Sequence, residues 1–267
     1  MSFVEAFAAL HPEKAPRILT VDLERVPGRV TLDIFDAKND RNAFIAADRW
    51  DEYPRTICAS FKWYDERKVG FVAEWESDEP YFVARRCWEL IDAADWLISF
   101  NGRRADLKWL RTEWLLAGLP MPTPWKDIDL YAIARRQFAF ESKSLAHLCS
   151  RLGLPGKLGH YDPDVARAAV AGDERAQRSL ARYNRRDVVI TEQAYHKLRP
   201  FIVPGPNWGL FTGHGSRVCP TCGANRMTRQ KGTQTAITGR YEVWRCDECG
   251  SLARESKRSV STPTRGL

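Results

Sequence analysis

Acidic side chains stand at three boundaries between apolar segments of this sequence, where they could bind divalent cations. Asp22 and Glu24 end a short apolar strand, and since side chains alternate along a strand, both lie on the same face. Asp106 opens a helix after a second apolar strand, and Asp187 lies one helical turn after Tyr183. Carboxylates are the ligands that Mg²⁺ and Mn²⁺ prefer. Gathered by folding, these acids would suit two-metal hydrolysis of phosphodiesters.

Each acid, taken singly, also has an ordinary structural explanation. Acids often end strands because they are solvated there, and Asp106 could serve only as a helix cap. Tyr183 and Asp187 could be neighbouring surface residues. We interpret Asp127 and Asp129 as strand-end or helix-cap residues, and only as reserve ligands.

Four of the seven cysteines form two CxxC pairs, Cys219 with Cys222 and Cys246 with Cys249. Two such knuckles provide four thiolates for a tetrahedral zinc site, and a site filled by cysteine alone is structural. Disulfides are the alternative, but the cytoplasmic location expected below argues against them. A module of this size would fold only with its metal. The remaining cysteines are interpreted as small buried hydrophobes, without chemistry: Cys58, Cys87 and Cys149.

The elements that must position these residues alternate between strands and helices. Apolar runs predict strands over residues 17–23, 56–64 and 69–75, an antiparallel meander, and a further strand over 96–100. Segments in which apolar residues recur at helical spacing lie before and after that last strand. The segments with helical spacing are 81–96, 107–119, 142–154, 162–173, 174–187 and 188–202. The whole predicts an α/β fold, a mixed sheet flanked by helices.

Composition divides the 267 residues into five parts. Residues 201–216 contain no Lys, Arg, Asp or Glu and are rich in Gly and Pro, which predicts a linker. It separates a catalytic domain over 17–200 from a zinc ribbon over 217–255. We expect an N-terminal extension over 1–16 and a basic flexible tail over 256–267.

The charge of the chain lies mainly in its last quarter. The net charge is +7, and residues 201–267 hold ten Lys or Arg against four acids. This basic region indicates contact with a polyanion, and improved solubility is the alternative. No stretch approaches the roughly 20 apolar residues of a membrane span, and the first residues lack the basic start of a signal peptide. We therefore expect a cytoplasmic protein.

The acidic motifs, taken in order, resemble those of the DEDD exonuclease superfamily, which has an RNase H-like fold. They are DxE at Asp22, N(x)4D at Asn101 and YxxxD at Tyr183. The tyrosine indicates the DEDDy branch, because Arg182 stands where the other branch has histidine. The stretch ADWLISFNGRRADLKWL is most similar to the proofreading exonuclease domain of family B DNA polymerases and its free-standing relatives. The resemblance covers about residues 17–200.

The resemblance implies 3′-5′ exonuclease activity with two Mg²⁺ or Mn²⁺ and release of nucleoside 5′-monophosphates. Asp22 would bridge both metals, and Glu24 would bind the first metal and orient the attacking water. Asp106 and Asp187 would complete the coordination, and Tyr183 would hydrogen-bond that water. Removing one of these mutually repelling carboxylates is expected to abolish cleavage without unfolding the metal-free domain.

Two further residues of the second motif concern the substrate. Asn101 would contact the terminal nucleotide or fix the turn, and the sequence leaves both roles open. Relatives usually have an aromatic residue directly before the second-motif Asp. Ala105 occupies that position here, so either a base-wedging contact or a core contact is expected to be missing, which concerns the grip on the substrate and not metal binding.

The predicted partner is single-stranded nucleic acid, with DNA slightly favoured over RNA. Between the knuckles, two predicted strands combine basic and aromatic side chains, which suit phosphate pairing and base stacking. These candidates are Arg226, Arg229, Arg240, Tyr241, Trp244 and Arg245. Packing on the catalytic domain or docking of another protein is the alternative for the ribbon. Two other functions stay open: an RNase H-like endonuclease or resolvase, and an inactive nuclease fold whose ribbon binds nucleic acid.

Overall fold

The computed structural model describes residues 16–32, 45–64, 66–211, 217–262 and 264. The predicted N-terminal extension therefore lies outside the described residues except for Pro16. The strands are β1 Ile18–Val26, β2 Arg29–Val30, β3 Trp50–Glu52, β4 Arg55–Trp63, β5 Gly70–Ala73, β6 Trp96–Ser99, β7 Lys126–Asp129, β8 Met227–Ala236, β9 Gly239–Cys246, β10 Leu252–Arg254 and β11 Val260–Ser261. The helices are α1 Phe82–Asp92, α2 Asp106–Leu116, α3 Leu130–Gln137, α4 Leu145–Arg151, α5 Pro163–Val170 and α6 Glu174–Leu198. Short 3-10 turns cover 47–49, 74–76, 199–201 and 208–210.

The main sheet has the order β5-β4-β1-β6-β7. β4 pairs antiparallel with β1 and with β5, which confirms the predicted meander. β6 lies parallel to β1 and to β7. The sheet is therefore mixed, with β1 at its centre and helices on both faces, as the pattern of the sequence predicted.

The central strand β1 sends alternate side chains to opposite layers. Leu19, Val21 and Leu23 are buried in the cluster that includes residues of α1 and α2. Ile18 instead packs with Tyr195 and with other residues of α6. By the same alternation, Asp22 and Glu24 lie on the face of the sheet that α6 covers.

The second half of the catalytic domain is helical, with one difference from the expected pattern. The sequence predicts separate helices over 174–187 and 188–202, but α6 runs unbroken through Glu174–Leu198. No Gly or Pro interrupts this segment, and its apolar spacing continues through Asp187, so nothing ends the helix there. Asp173 caps its start by accepting hydrogen bonds from the backbone of Arg175 and Ala176.

The C-terminal module is an antiparallel sheet in which β8, β10 and β11 each pair with β9. Strand pairing continues to Ser261, because Val260 and Ser261 pair with Arg240 and Gly239. The ordered sheet therefore extends beyond residue 255, where the ribbon was expected to end. Among the described residues, no helix combines the length and the apolar character needed to cross a bilayer.

The segment predicted as a linker contacts both modules. The ring of Trp208 lies 5.6 Å from that of Tyr64, between ring centroids, and packs against the cluster that contains Ile18 and Leu198. Its backbone N–H donates a hydrogen bond of 2.8 Å to the carbonyl of Pro220, in the first zinc knuckle. Trp208 therefore lies between the catalytic domain and the ribbon.

Candidate active site

Three of the four predicted acids meet where β1 passes under α6. Asp22, Glu24 and Asp187 each place one carboxylate oxygen within 4.8 Å of the other two. Glu24 and Asp187 are buried, while Asp22 keeps part of its surface exposed. Separate segments of the chain supply the cluster, because α6 crosses the sheet at the end of β1. This is the close gathering of carboxylates that a divalent metal site requires.

Burial makes the ionised forms of these three carboxyls unfavourable when no metal is present. Burial raises the pKa of Asp22 well above its usual range, and repulsion by Glu24, Asp106 and Asp187 raises it further. Burial, with Asp187 next, raises the pKa of Glu24 to about 8. Burial also raises the pKa of Asp187, although its contact with Lys157 opposes the shift. The cluster therefore concentrates negative charge that cations would stabilise.

Asp106 lies beside this cluster and not within the group of three. It is the first residue of α2, after Ala105, which stands in the cap position without a side-chain cap. Burial and Asp129 raise its pKa to about 7, and Arg25 opposes the shift. Its charge also raises the pKa of both Asp22 and Glu24, so it acts on the same site.

The turn before Asp106 depends on two residues with special backbone requirements. Asn101 adopts a left-handed conformation with φ of 65°, which asparagine tolerates better than most residues. Gly102 has no side chain, and a Cβ there would come within 2.6 Å of Ser99. The carboxylate of Asp129 accepts hydrogen bonds from the backbone N–H of Asn101 at 2.9 Å and of Tyr131 at 3.0 Å. Asp129 thus caps α3, as expected, and also fixes the turn.

Lys157 is part of the site, although the sequence analysis did not identify it. Its Nζ lies 2.6 Å from Oδ2 of Asp187 and donates a hydrogen bond of 3.0 Å to the hydroxyl of Tyr183. Burial opposes its ionisation, but these two partners outweigh burial and raise its pKa. An ammonium group therefore balances part of the negative charge in the metal-free site.

Asn184 is the second site residue that the sequence analysis missed. It is fully buried, and its Nδ2 donates a hydrogen bond of 2.7 Å to Oδ2 of Asp22. It also lowers the pKa of Glu24 by hydrogen bonding. Asn184 directly follows Tyr183 in α6, and an asparagine next to the tyrosine of the third motif was the only signal that the sequence offered.

Tyr183 lies within the site, where its phenol is protonated at neutral pH. Burial raises the pKa of Tyr183 to about 12. The phenol therefore acts as a hydrogen-bond donor and not as a base. Its hydroxyl contacts Asp187 and accepts a hydrogen bond from Lys157.

The carboxylate oxygens of the acid cluster are suited to bind hard cations. Oδ1 of Asp187 is buried and has no hydrogen-bond partner, although buried carboxylate oxygens normally have one. Asp187 therefore keeps an unused acceptor beside the carboxylates of Asp22 and Glu24. The residues present therefore fit Mg²⁺ or Mn²⁺.

An open groove of about 650 Å³ leads to the acids. Asp22 and Asp187 are among the residues that line it, and other wall residues are aromatic and polar side chains from the turn after β6, the start of α3 and the segment before α4. These wall residues include Phe100, Asn101, Tyr131, Lys143 and Ser144. Phe100 and Tyr131 pack edge to face at 6.0 Å between ring centroids. The groove is thus wide and polar enough for a nucleotide.

The four ribbon cysteines form a separate metal site. Their sulfurs lie within 4.8 Å of one another, and Cys219–Cys249 and Cys222–Cys246 are each separated by 3.7 Å. A tetrahedron with Zn–S bonds of about 2.3 Å has edges of about 3.8 Å. All four are free thiols and not disulfides. The cluster therefore fits a structural zinc ion, as predicted for a zinc ribbon.

The ribbon residues proposed to bind nucleic acid differ in their availability. Arg226 pairs with Glu248 at 3.4 Å, and Arg229 pairs with Glu242 at 2.6 Å. Arg240 and Arg245 are exposed.

The two aromatic candidates of the ribbon are covered by arginines. Tyr241 is buried, with Arg254 at 4.3 Å over its ring. Arg217 lies 3.8 Å over the ring of Trp244. A base could stack on either covered ring face only after the arginine moved away. Arg240 and Arg245 are therefore the more accessible of the predicted ribbon residues.

Comparisons with known proteins agree with this architecture. A family model described as the RNase H superfamily matches residues 51–199, which include Asp106 and Asp187 but begin after Asp22 and Glu24. The chain is similar in structure to the family B DNA polymerase from the hyperthermophilic archaeon Pyrobaculum calidifontis, with a TM-score of 0.52, 18% sequence identity and 70% of this chain covered. The match spans 25% of the polymerase chain, so the likeness concerns the fold alone. No curated protein matches this chain.

Proposed function

Because this chain belongs to the RNase H superfamily, we propose that it is a metal-dependent 3′-5′ exonuclease. Its substrate would be single-stranded nucleic acid, with DNA slightly favoured over RNA, and its products nucleoside 5′-monophosphates. The observation that carries this proposal is the convergence of Asp22, Glu24 and Asp187 within 4.8 Å, with an unpartnered oxygen on Asp187. Such a set of buried carboxylates is costly for the fold unless it binds cations.

Two bound Mg²⁺ or Mn²⁺ would supply Lewis-acid chemistry for phosphodiester hydrolysis and lower the pKa of a bound water. Asp22, which is partly exposed, would be one of the residues that hold them. Glu24 and Asp187 would hold one side of the site. Asp106, beside the cluster at the start of α2, would hold the other.

The neutral residues of the site would orient the reacting groups. Asn184 fixes one oxygen of Asp22, which leaves the other for metal binding. Tyr183 keeps its proton and would donate a hydrogen bond to the attacking water. Asn101 has a buried Oδ1 without a partner, at the edge of the groove, and would accept a hydrogen bond from the terminal nucleotide.

The preference for terminal nucleotides over internal cutting rests on the resemblance of the motifs to 3′-5′ exonucleases. Tyr183, the residue that marks the third motif, lies beside Asp187 and Lys157. The endonuclease and the inactive binding protein are the two competing functions. Intact acids at all four motif positions support an enzyme.

The deciding experiment uses 5′-labelled single-stranded DNA and RNA, each with a free or a blocked 3′ end, incubated with the purified chain and Mg²⁺. We expect a ladder that shortens from free 3′ ends, no product from blocked strands, and no product in EDTA. Discrete internal fragments from blocked strands would establish an endonuclease. Tight binding of the strands without any product, in Mg²⁺ and in Mn²⁺, would show that the chain is an inactive nucleic-acid-binding protein.

A further inference from the structure

Trp109 is an exposed aromatic residue one helical turn from a proposed metal ligand. It follows Asp106 by three positions in α2, so both side chains lie on the same face of the helix. The residue is 42% exposed, whereas Trp114 of the same helix is 1% exposed. Because much of its indole is exposed to water, Trp109 is not needed to fill the hydrophobic core.

Arg25 covers the ring of Trp109 and holds it in place. The guanidinium lies 3.7 Å from the ring centroid, within the range of a cation–π contact. Arg25 is itself fixed, since it donates a hydrogen bond of 2.8 Å to the carbonyl of Pro54 and lies 3.9 Å from Glu113. It follows Glu24 directly in β1. The stacked pair is therefore rigidly connected to both acidic motifs.

Exposed basic residues lie near Trp109 along the chain. Lys108 lies in the first turn of α2, and Arg103 and Arg104 lie in the turn before Asp106. All three are exposed, and no carboxylate of the described residues forms an ion pair with them, although Arg103 lines a pocket that also contains Asp127 and Asp129. Exposed cations beside a candidate active site attract a polyanion.

We propose that Trp109, backed by Arg25, is a base-stacking platform for the substrate strand beside the metal site. Arg103, Arg104 and Lys108 contact the phosphates of the same strand. This inference rests on the proposed nuclease function and names a binding surface for its substrate. Every base has an apolar face, so such a platform binds without sequence preference.

A protein partner is the competing occupant of an exposed tryptophan. Lys108, Arg103 and Arg104 are exposed cations near Trp109 along the chain, and they favour a polyanion instead.

The test measures binding of a 5′-fluorescein single-stranded DNA by anisotropy, with Ca²⁺ in place of Mg²⁺. We expect Trp109→Ala and Trp109→Leu to weaken binding about tenfold and Trp109→Phe to restore most of it, because stacking requires an aromatic ring. The matched control is Leu115→Ala, which removes an apolar side chain that is 77% exposed on the same helix. Equal affinity of Trp109→Ala and the wild type would overturn the proposal.

A second probe locates the stacked base. Single abasic sites are placed in turn at the positions near the 3′ end of the same DNA. One position should weaken binding by the wild type and not by Trp109→Ala, because that variant has already lost the contact. If every abasic DNA weakens both proteins equally, Trp109 contacts no base.

The phosphate contacts are tested by the dependence of binding on salt. Replacing both Arg103 and Arg104 by Ala should reduce the slope of log K against log salt by about 1.4, which is about 0.7 for each lost contact. The control replaces the exposed Arg175 and Arg178 of α6 and should leave the slope unchanged. An unchanged slope in the first pair would overturn the phosphate contacts. A chain that binds no nucleic acid would refute the proposed function itself, whereas normal cleavage by Trp109→Ala with unchanged affinity refutes only this platform.

Discussion

Nδ2 of Asn184 donates a hydrogen bond of 2.7 Å to Oδ2 of Asp22, and this contact joins α6 to β1 across 162 positions of the chain. The amide orients a carboxylate that is proposed to be shared between two ions. Asn184→Ala should therefore reduce kcat by about 10- to 100-fold, the usual cost of losing a hydrogen bond to a charged group. KM should change little, since Asn184 is fully buried and does not face the groove. Steady-state kinetics measures both constants, and a rise in KM with constant kcat would contradict this role.

Two of the acids should differ in their effect on stability, although both are required for cleavage. Asp22→Asn removes a buried charge and keeps an acceptor for Asn184, so the metal-free variant should melt at or above the wild-type temperature. Asp187→Asn removes the partner of Lys157 and should melt lower, because it leaves an unpaired ammonium. Cleavage should fall at least about a thousandfold in both. Asp187 is therefore predicted to differ from the expectation that removing a carboxylate leaves the metal-free domain folded and stable. Equal melting temperatures in EDTA would contradict the distinction.

The stability of the metal-free protein should decrease as the pH rises through the titration of Glu24. The pKa of this residue is about 8 in the folded chain and 4.5 as its ordinary value. Between these values the folded state binds more protons than the unfolded state, so the free energy of unfolding falls with rising pH. Urea titrations in EDTA across this range measure the slope. Glu24→Gln should flatten it, and saturating Mg²⁺ should flatten it as well, because the metal-bound folded state and the unfolded state then both hold the ionised carboxylate in this range. An identical slope in Glu24→Gln would contradict the assignment.

Lys157 should stabilise the metal-free site more than the metal-bound site. Lys157→Met leaves Asp187 without its counter-charge, and breaking a partly buried ion pair costs about 3 kcal/mol. Saturating Mg²⁺ should recover part of this loss, since the ions then supply the positive charge. Urea unfolding with and without Mg²⁺ measures both values, with the exposed Lys108→Met as control. The same loss in both conditions would show that Lys157 acts only in packing.

The ribbon should contain one zinc ion per chain. Cys222→Ser should lose this zinc, whereas Cys149→Ser should retain it, because Cys149 lies outside the cluster. Removal of the ion with a strong chelator should open the ribbon to proteolysis, since four unbound thiols provide too little core to keep it folded. Metal analysis and limited proteolysis measure the two effects. A ribbon that resists the protease without bound metal would contradict the prediction.

The sequence could predict most of the fold, and the comparisons confirm its RNase H-like class. The apolar runs of β1, β4, β5 and β6 are distinct because those strands are buried. β7 could not be recognised, since Lys126 and Asp127 are exposed and the strand is defined by its pairing with β6. The end of the ribbon was also hidden, because the two residues of β11 carry no pattern of their own.

The candidate site was predictable where motifs exist and not elsewhere. The carboxylates follow a spacing that the sequence displays, and three of them meet in the structure. Lys157 stands among glycines and a proline, a context that indicates an exposed loop. Only the tertiary contact with Asp187, 30 positions later, buries it. Likewise, the burial of Tyr241 under Arg254 depends on the pairing of β9 with β10.

Trp208 indicates a C-terminal boundary for the catalytic domain that lies beyond residue 200, the boundary that composition indicates. Its indole packs beside Tyr64 and Leu198, both of which belong to the body of that domain. A fragment that ends at Pro200 would expose to water the apolar surface that Trp208 covers. Such a fragment would tend to self-associate. We infer that the shortest soluble fragment of this domain extends through Phe211. The segment over 201–211 therefore covers an apolar surface of the catalytic domain and also connects that domain to the ribbon.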